Sequence, residues 1–272
     1  MHPLNRYLAC LLLSLALPAF SQPEVAPLPA LDASHAAWVG ERIFANECNS
    51  QVRCLTSWNA GEDFPSLGIG HFIWYREGQR EAFVESFPQL LAFYREQGMA
   101  LPAWIDSLPE ADSPWQNRQQ FLEAMDSEPM LELREFLNNT REVQVAFIIQ
   151  RMEASLPALL AASSRPNQIE ALFREIAAEQ PLGPYALIDY VNFKGEGIAP
   201  GERYAGQGWG LLQVLEYMLD HPDEQPLMDR FAQAAGAVLI RRIANAPPER
   251  GEQRWQNGWL NRVQTYSALH NN

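Results

Sequence analysis

Apolar side chains along this 272-residue chain recur mostly at steps of three and four, the period of one helix face. From Ser34, read as the N-cap, the series Ala36, Gly40, Ile43 and Glu47 predicts a first helix. Cys48 to Pro65 is polar and turn-rich. Ser66 to Tyr75 (SLGIGHFIWY) is short, glycine-bearing and then rich in strand formers, which predicts a small β-hairpin. Helical period returns over 80–97, 116–125, 130–137, 141–154, 166–179, 184–193, 208–219, 226–244 and 254–268. In the last of these, Trp255, Trp259 and Val263 repeat every four residues, a stripe expected to face the core. The expected architecture is mostly α, with a minor β element beside the first helix.

The two ends of the chain have different compositions. Residues 1–21 carry one charge at Arg6, an apolar run from Tyr7 to Leu17 and the small-residue pattern Ala19-Phe20-Ser21, read as a secretory signal peptide cleaved after Ser21. The run is too short to span about 30 Å of hydrocarbon, so no stable membrane insertion of the mature chain is expected. Residues 22–33 hold Pro23, Pro27 and Pro29 and read as an extended lead-in. Residues 34–272 then form the folded domain, in a periplasmic or secreted protein.

Export bears on the cysteines. Cys10 leaves with the signal, and Cys48 and Cys54 remain as an even pair in an oxidising compartment, where a disulfide closing a short loop is expected. Two cysteines without a nearby histidine pair do not make a zinc site, so neither a metal nor another cofactor is expected. Loss of Arg6 leaves 19 of the 20 basic side chains against 33 acidic ones, a net charge of −14. That balance argues against nucleic acid and anionic membrane surfaces as partners.

Glu47 stands at the end of the first helix, on the Ile43 face. The negative end of the helix dipole and apolar neighbours both favour the protonated form of a carboxyl group there, which suits a proton donor to a glycosidic oxygen. A surface glutamate at a frayed helix end is the alternative.

A helix ending in glutamate, a polar loop and then Ser66-Leu67-Gly68-Ile69-Gly70-His71 resembles the opening of phage-type lysozymes. Ala186-Leu187-Ile188-Asp189-Tyr190-Val191 followed by Gly195-Glu196 is similar to the helix that closes the cleft from their larger lobe. The resemblance covers about a tenth of the chain, and the stretch between His71 and Ala186 reads as a helical insertion. It implies a lysozyme-like fold, with helical lobes and a small β-hairpin beside the catalytic cleft, and cleavage of peptidoglycan glycan strands. Glu47 then matches the general acid and Ser66 the threonine that assists the attacking water. The family's aspartate falls near Asn59 or Ala60, leaving Glu62 and Asp63 as the nearest carboxylates.

One acid alone suits a lytic transglycosylase. Glu196-Gly197-Ile198 with Gly208-Trp209-Gly210-Leu211-Leu212-Gln213 looks like that class's pattern of a glutamate, a spacer and Gly-Leu-Met-Gln, so Glu196 is a rival acid. Asn192, Tyr204 and Gln213 are candidates for holding sugar hydroxyls, with His71 supporting the hairpin at the cleft. Trp58, Trp74, Tyr75 and Trp209 are either core or sugar-stacking surfaces. A non-catalytic glycan-binding or scaffold protein is the reading from another class, and chitin-like glycans remain open beside peptidoglycan.

Overall fold

The computed structural model describes residues 28–79, 83–108 and 111–267. The predicted signal peptide and most of the lead-in lie outside the described residues. The described residues are mostly helical, with one small antiparallel sheet and a two-stranded hairpin among them. No described helix is long and apolar enough to cross a membrane.

α1 (Ala33–Cys48) buries Val39, Ile43, Phe44 and Cys48 on one face. Asp32 caps it, not Ser34: the Asp32 carboxylate accepts from His35 N, and Ser34 Oγ donates to the same carboxylate. The carboxylate outcompetes a hydroxyl as acceptor for the free amides of the first turn. Asn49, in the left-handed region at φ 50°, ends the helix. The Cys48–Cys54 disulfide closes the turn that follows, as expected from the cysteine count.

After a 3-10 turn over Val52–Leu55 come β1 (Thr56–Ser57), β2 (Ser66–Leu67) and β3 (Phe72–Ile73). They form an antiparallel sheet in that order, with Ser66 opposite both Ser57 and Ile73. The expected hairpin is therefore β2–β3, and β1 adds a third strand from a segment read as loop.

The helices follow as α2 (Phe87–Glu96), α3 (Ala103–Asp106), α4 (Arg118–Glu123), α5 (Glu128–Asn139), α6 (Arg141–Ala161), α7 (Pro166–Ala178) and α8 (Leu182–Lys194). α2 begins later than the residue-80 start that periodicity suggested, because Pro88 suits a first helical turn and not an interior. β4 (Arg203–Tyr204) and β5 (Gln207–Gly208) form an unanticipated hairpin, followed by α9 (Leu211–Asp220), α10 (Leu227–Asn245) and α11 (Gln256–Gln264). The predicted helix from residue 254 starts two residues later, behind a 3-10 turn over Glu252–Trp255. Its stripe divides: Val263 is buried, Trp259 is half-buried, and Trp255 is 40% exposed.

α8 is buried on almost every side, with α1, α6, α7 and α9 packed around it. α1 crosses α6 at Gly40, where an added Cβ would sit 3.5 Å from both Arg141 Cβ and Val145 Cγ2. The sheet is fastened to this helical body by two buried polar side chains. Arg134 of α5 donates to Thr56 Oγ1 of β1 at 3.0 Å. Gln144 of α6, fully buried, accepts from Ile69 N at 2.9 Å and donates to Leu137 O at 2.7 Å.

Gln144 explains the glycines of the β2–β3 turn. Gly68 has φ +69°, and a Cβ there would come within 2.3 Å of Gln144 Oε1. A Cβ at Gly70 would fall 2.5 Å from the Phe72 ring. Replacing Gln144 with alanine would strip Ile69 N of its buried acceptor and Leu137 O of a donor. We expect a loss of about 1–3 kcal/mol in urea unfolding, with faster amide exchange over 68–71 than over α8.

Candidate functional site

Glu47 sits in the last turn of α1, with 19% of its side chain exposed. One carboxylate oxygen accepts from Arg262 Nη2 of α11. The other lies 3.8 Å from His71 Nε2, which is buried without a hydrogen-bond partner. His71 reaches this place through a left-handed backbone at φ 48°, in the turn that Gln144 fixes. The neighbours of Glu47 are thus a cation and an imidazole, not the apolar surface expected.

Arg262 is held from behind. Asp189 of α8, completely buried, accepts from Arg262 Nε at 2.9 Å and Nη2 at 2.8 Å, a bidentate pair. It also accepts from Tyr266 Oη at 2.5 Å and Asn46 Nδ2 at 3.0 Å. Burial alone would lower the Arg262 pKa, but the hydrogen bonds and charge of Asp189, joined by Glu47, carry it above the ordinary arginine range. Burial, reinforced by Asp189, likewise pushes the Tyr266 and Tyr185 hydroxyls up. Three helices therefore meet on one ionic cluster, with Glu47 at its outer end.

Ser66 is buried in the central strand, and its carbonyl accepts from Ser57 Oγ at 3.2 Å. Glu62 is half-buried and Asp63 exposed, both in the β1–β2 connection. The Glu62 carboxylate accepts from Asn59 Nδ2 at 3.2 Å, within its own turn. Both disulfide sulfurs lie within 4.8 Å of a His71 ring nitrogen, but bonded to each other they offer no thiolate to a metal.

Glu196 follows α8 and faces a different space. With Asn192, Gly70, Phe72, Arg151 and Ser155 it lines a cavity of about 170 Å³ between the hairpin and helices α6 and α8. Glu47 is not among that cavity's lining residues: it neighbours His71, whereas Glu196 shares the cavity with Gly70.

Gln213 and Tyr204 have internal tasks. Gln213 Oε1 accepts from Gly210 N at 3.0 Å, and its Nε2 donates to Gly197 O at 3.1 Å, capping α9. The Tyr204 hydroxyl donates to buried Glu252 at 2.9 Å. Trp58, Trp74, Tyr75 and Trp209 are all buried, so the core reading holds for each.

Arg262 was missed in the sequence, as was the role of Asp189 as its anchor. The only signal was an aspartate within an otherwise apolar helix, which demands a cationic partner from somewhere in the chain. No known family model, curated protein or solved structure matches this chain.

Arg262→Met would leave Asp189 buried with its main counter-charge removed. Such losses cost about 3–5 kcal/mol, read as a lowered urea midpoint. Arg262→Lys should recover only part of it, because an ammonium cannot reproduce the fork that engages both Asp189 oxygens.

Proposed function

We propose that this is an exported, lysozyme-like protein that cleaves the glycan strands of peptidoglycan, with Glu47 as the proton donor. The observation that carries the reading is the setting of Glu47: a carboxylate mostly withdrawn from water, gripped by Arg262 and faced by His71, where a helical body meets a small glycine-turned sheet. A glycosidase needs one carboxyl group positioned to protonate the leaving oxygen. Arg262 is itself fixed by Asp189, so the Glu47 contact can open while the guanidinium stays in place. Glu47 is then free to turn to a substrate oxygen, and Arg262 retains a carboxylate partner.

The second carboxylate of a hydrolytic pair would come from Glu62 or Asp63, and Glu62 is engaged by Asn59. That favours chemistry with a single acid, in which the same glutamate protonates the leaving group and then takes a proton from the sugar's own hydroxyl. The mature chain would act in the periplasm or outside the cell, without a cofactor.

A second reading rests on the cavity that Glu196 shares with Asn192 and Gly70. In it, Glu196 is the acid and the Glu47 cluster is structural. Glu47→Gln and Glu196→Gln, each assayed on purified peptidoglycan, separate the two. The first reading expects a fall of at least about a hundredfold, the size of a lost general acid, in Glu47→Gln and little change in Glu196→Gln. The reverse would move the role to Glu196. Mass analysis of the fragments reports the chemistry: anhydro ends mark transglycosylation and reducing ends hydrolysis, whereas absence of any fragment favours a glycan-binding protein.

A further inference from the structure

Lys194 is the only lysine in the sequence; the other 19 basic residues are arginines. It is the last residue of α8, and 9% of it is exposed. Its ammonium lies 3.3 Å from the centroid of the Trp259 ring and 3.8 Å from that of Phe193. Each ring is shared with a second cation: Arg242 of α10 stands over Trp259 at 4.9 Å, and Arg262 over Phe193 at 4.3 Å.

Both arginines have carboxylates of their own. Glu252 accepts two hydrogen bonds from Arg242, at 2.8 and 2.9 Å, and a third from Tyr204. Asp189 and Glu47 take Arg262. Among the described residues, Lys194 Nζ has no hydrogen bond and no ion pair, in a chain with 33 acidic residues. Ring faces compensate a largely buried lysine only in part, by about 0.5–2 kcal/mol each.

We propose that Lys194 anchors a carboxylate-binding subsite, with the stacked pair Trp255 and Trp259 as the sugar platform beside it, so that the protein prefers an acid-bearing amino sugar to a neutral one. The proposal rests on the glycan reading above and sharpens its substrate. The two indoles lie 5.7 Å apart at 26°, and Trp255 is 40% exposed, a shape suited to the apolar face of a pyranose. α11 carries both Trp259 and Arg262, which ties the platform to the helix that holds Glu47. An incoming carboxylate supplies the direct counter-charge that Lys194 lacks while Arg242 and Arg262 keep theirs.

The choice of lysine over arginine makes the subsite responsive to pH. Burial, then the charge of Arg242 and to a lesser degree Arg262, bring Lys194 down to about 7, against a smaller opposing pull from Glu252. These are the charged groups that face it from α10, the 3-10 turn before α11, and α11. A sugar carboxylate stays ionised above about pH 5. Its affinity should therefore hold between pH 5 and 6 and fall as pH rises through 7.

Calorimetry on the intact mature chain tests this with a tetrasaccharide containing N-acetylmuramic acid and the chitin tetrasaccharide of equal length. At pH 6 the acidic sugar should bind roughly tenfold more tightly, the size of one charge-assisted hydrogen bond. Lys194→Met should remove that advantage and leave chitin affinity unchanged, which also reports that the fold is intact. Lys194→Arg should keep the advantage but lose its decline between pH 6 and 9. Equal binding of both sugars by the parent protein, or equal loss of both in Lys194→Met, overturns the carboxylate subsite and leaves the glycan reading standing. If neither sugar binds and peptidoglycan is not cut, both fail.

Discussion

The pairing of Asp189 with Arg262 is the interaction on which the rest of the structure depends. An aspartate with no exposure, in the helix at the centre of the body, is tolerable only with a counter-charge and with its lone pairs filled. Arg262, Tyr266 and Asn46 meet both needs, and they come from α1 and the C-terminal segment. The net stability of such a cluster is small relative to an apolar core of the same shape. Its effect is on specificity: any other register of α1, α8 and α11 leaves a buried charge unmatched. Glu47 inherits its position from that constraint, one residue beyond Asn46.

The opposite wall of the site is set by a second buried polar contact of another kind. Gln144 is neutral, and it fastens backbone instead of charge: Ile69 N on the hairpin and Leu137 O before α6. Because Gln144 comes so close, Gly68 cannot carry a side chain, and the Phe72 ring imposes the same condition on Gly70. The turn that results sends His71 toward Glu47 and Gly70 toward the cavity that Glu196 lines. The disulfide holds the chain between α1 and the sheet to a loop of six residues' separation, so acid and strand keep a short connection.

What could be read from the sequence follows from how local each cause is. α1 and the β2–β3 hairpin depend on periodicity and on glycines close by in the chain, and the disulfide on cysteine count; all three are legible in the sequence. Arg262 did not, because it lies 215 residues from Glu47 and arginine is too common a surface residue to mark itself. The Trp255, Trp259 and Val263 stripe misled for a related reason. A four-residue repeat shows that side chains share a helix face, not that the whole face is covered, and here only Val263 of the three is fully buried. Gln213 fits a motif and Tyr204 a sugar-binding role by residue type, but their polar atoms satisfy Gly197, Gly210 and Glu252, demands that arise only once the chain has folded. Lys194 was visible as a lone lysine, yet its meaning depends on which rings and cations surround it.

Those surroundings join the two polar centres of the molecule. Phe193 lies under Arg262 and beside Lys194, and Trp259 lies under Lys194 and beside Arg242, so rings alternate with cations from Glu47 to Glu252. Each arginine is neutralised at its outer side, by Glu47 and Asp189 at one end and by Glu252 at the other, while the middle of the row carries an uncompensated charge. An anion settling there would weaken the repulsion that Lys194 exerts on Arg262. Arg262 would then depend less on Glu47 as a counter-charge, because Asp189 alone supplies its bidentate partner. On the glycan reading, occupation of the lysine would loosen the Arg262 contact that keeps Glu47 from turning toward a substrate oxygen.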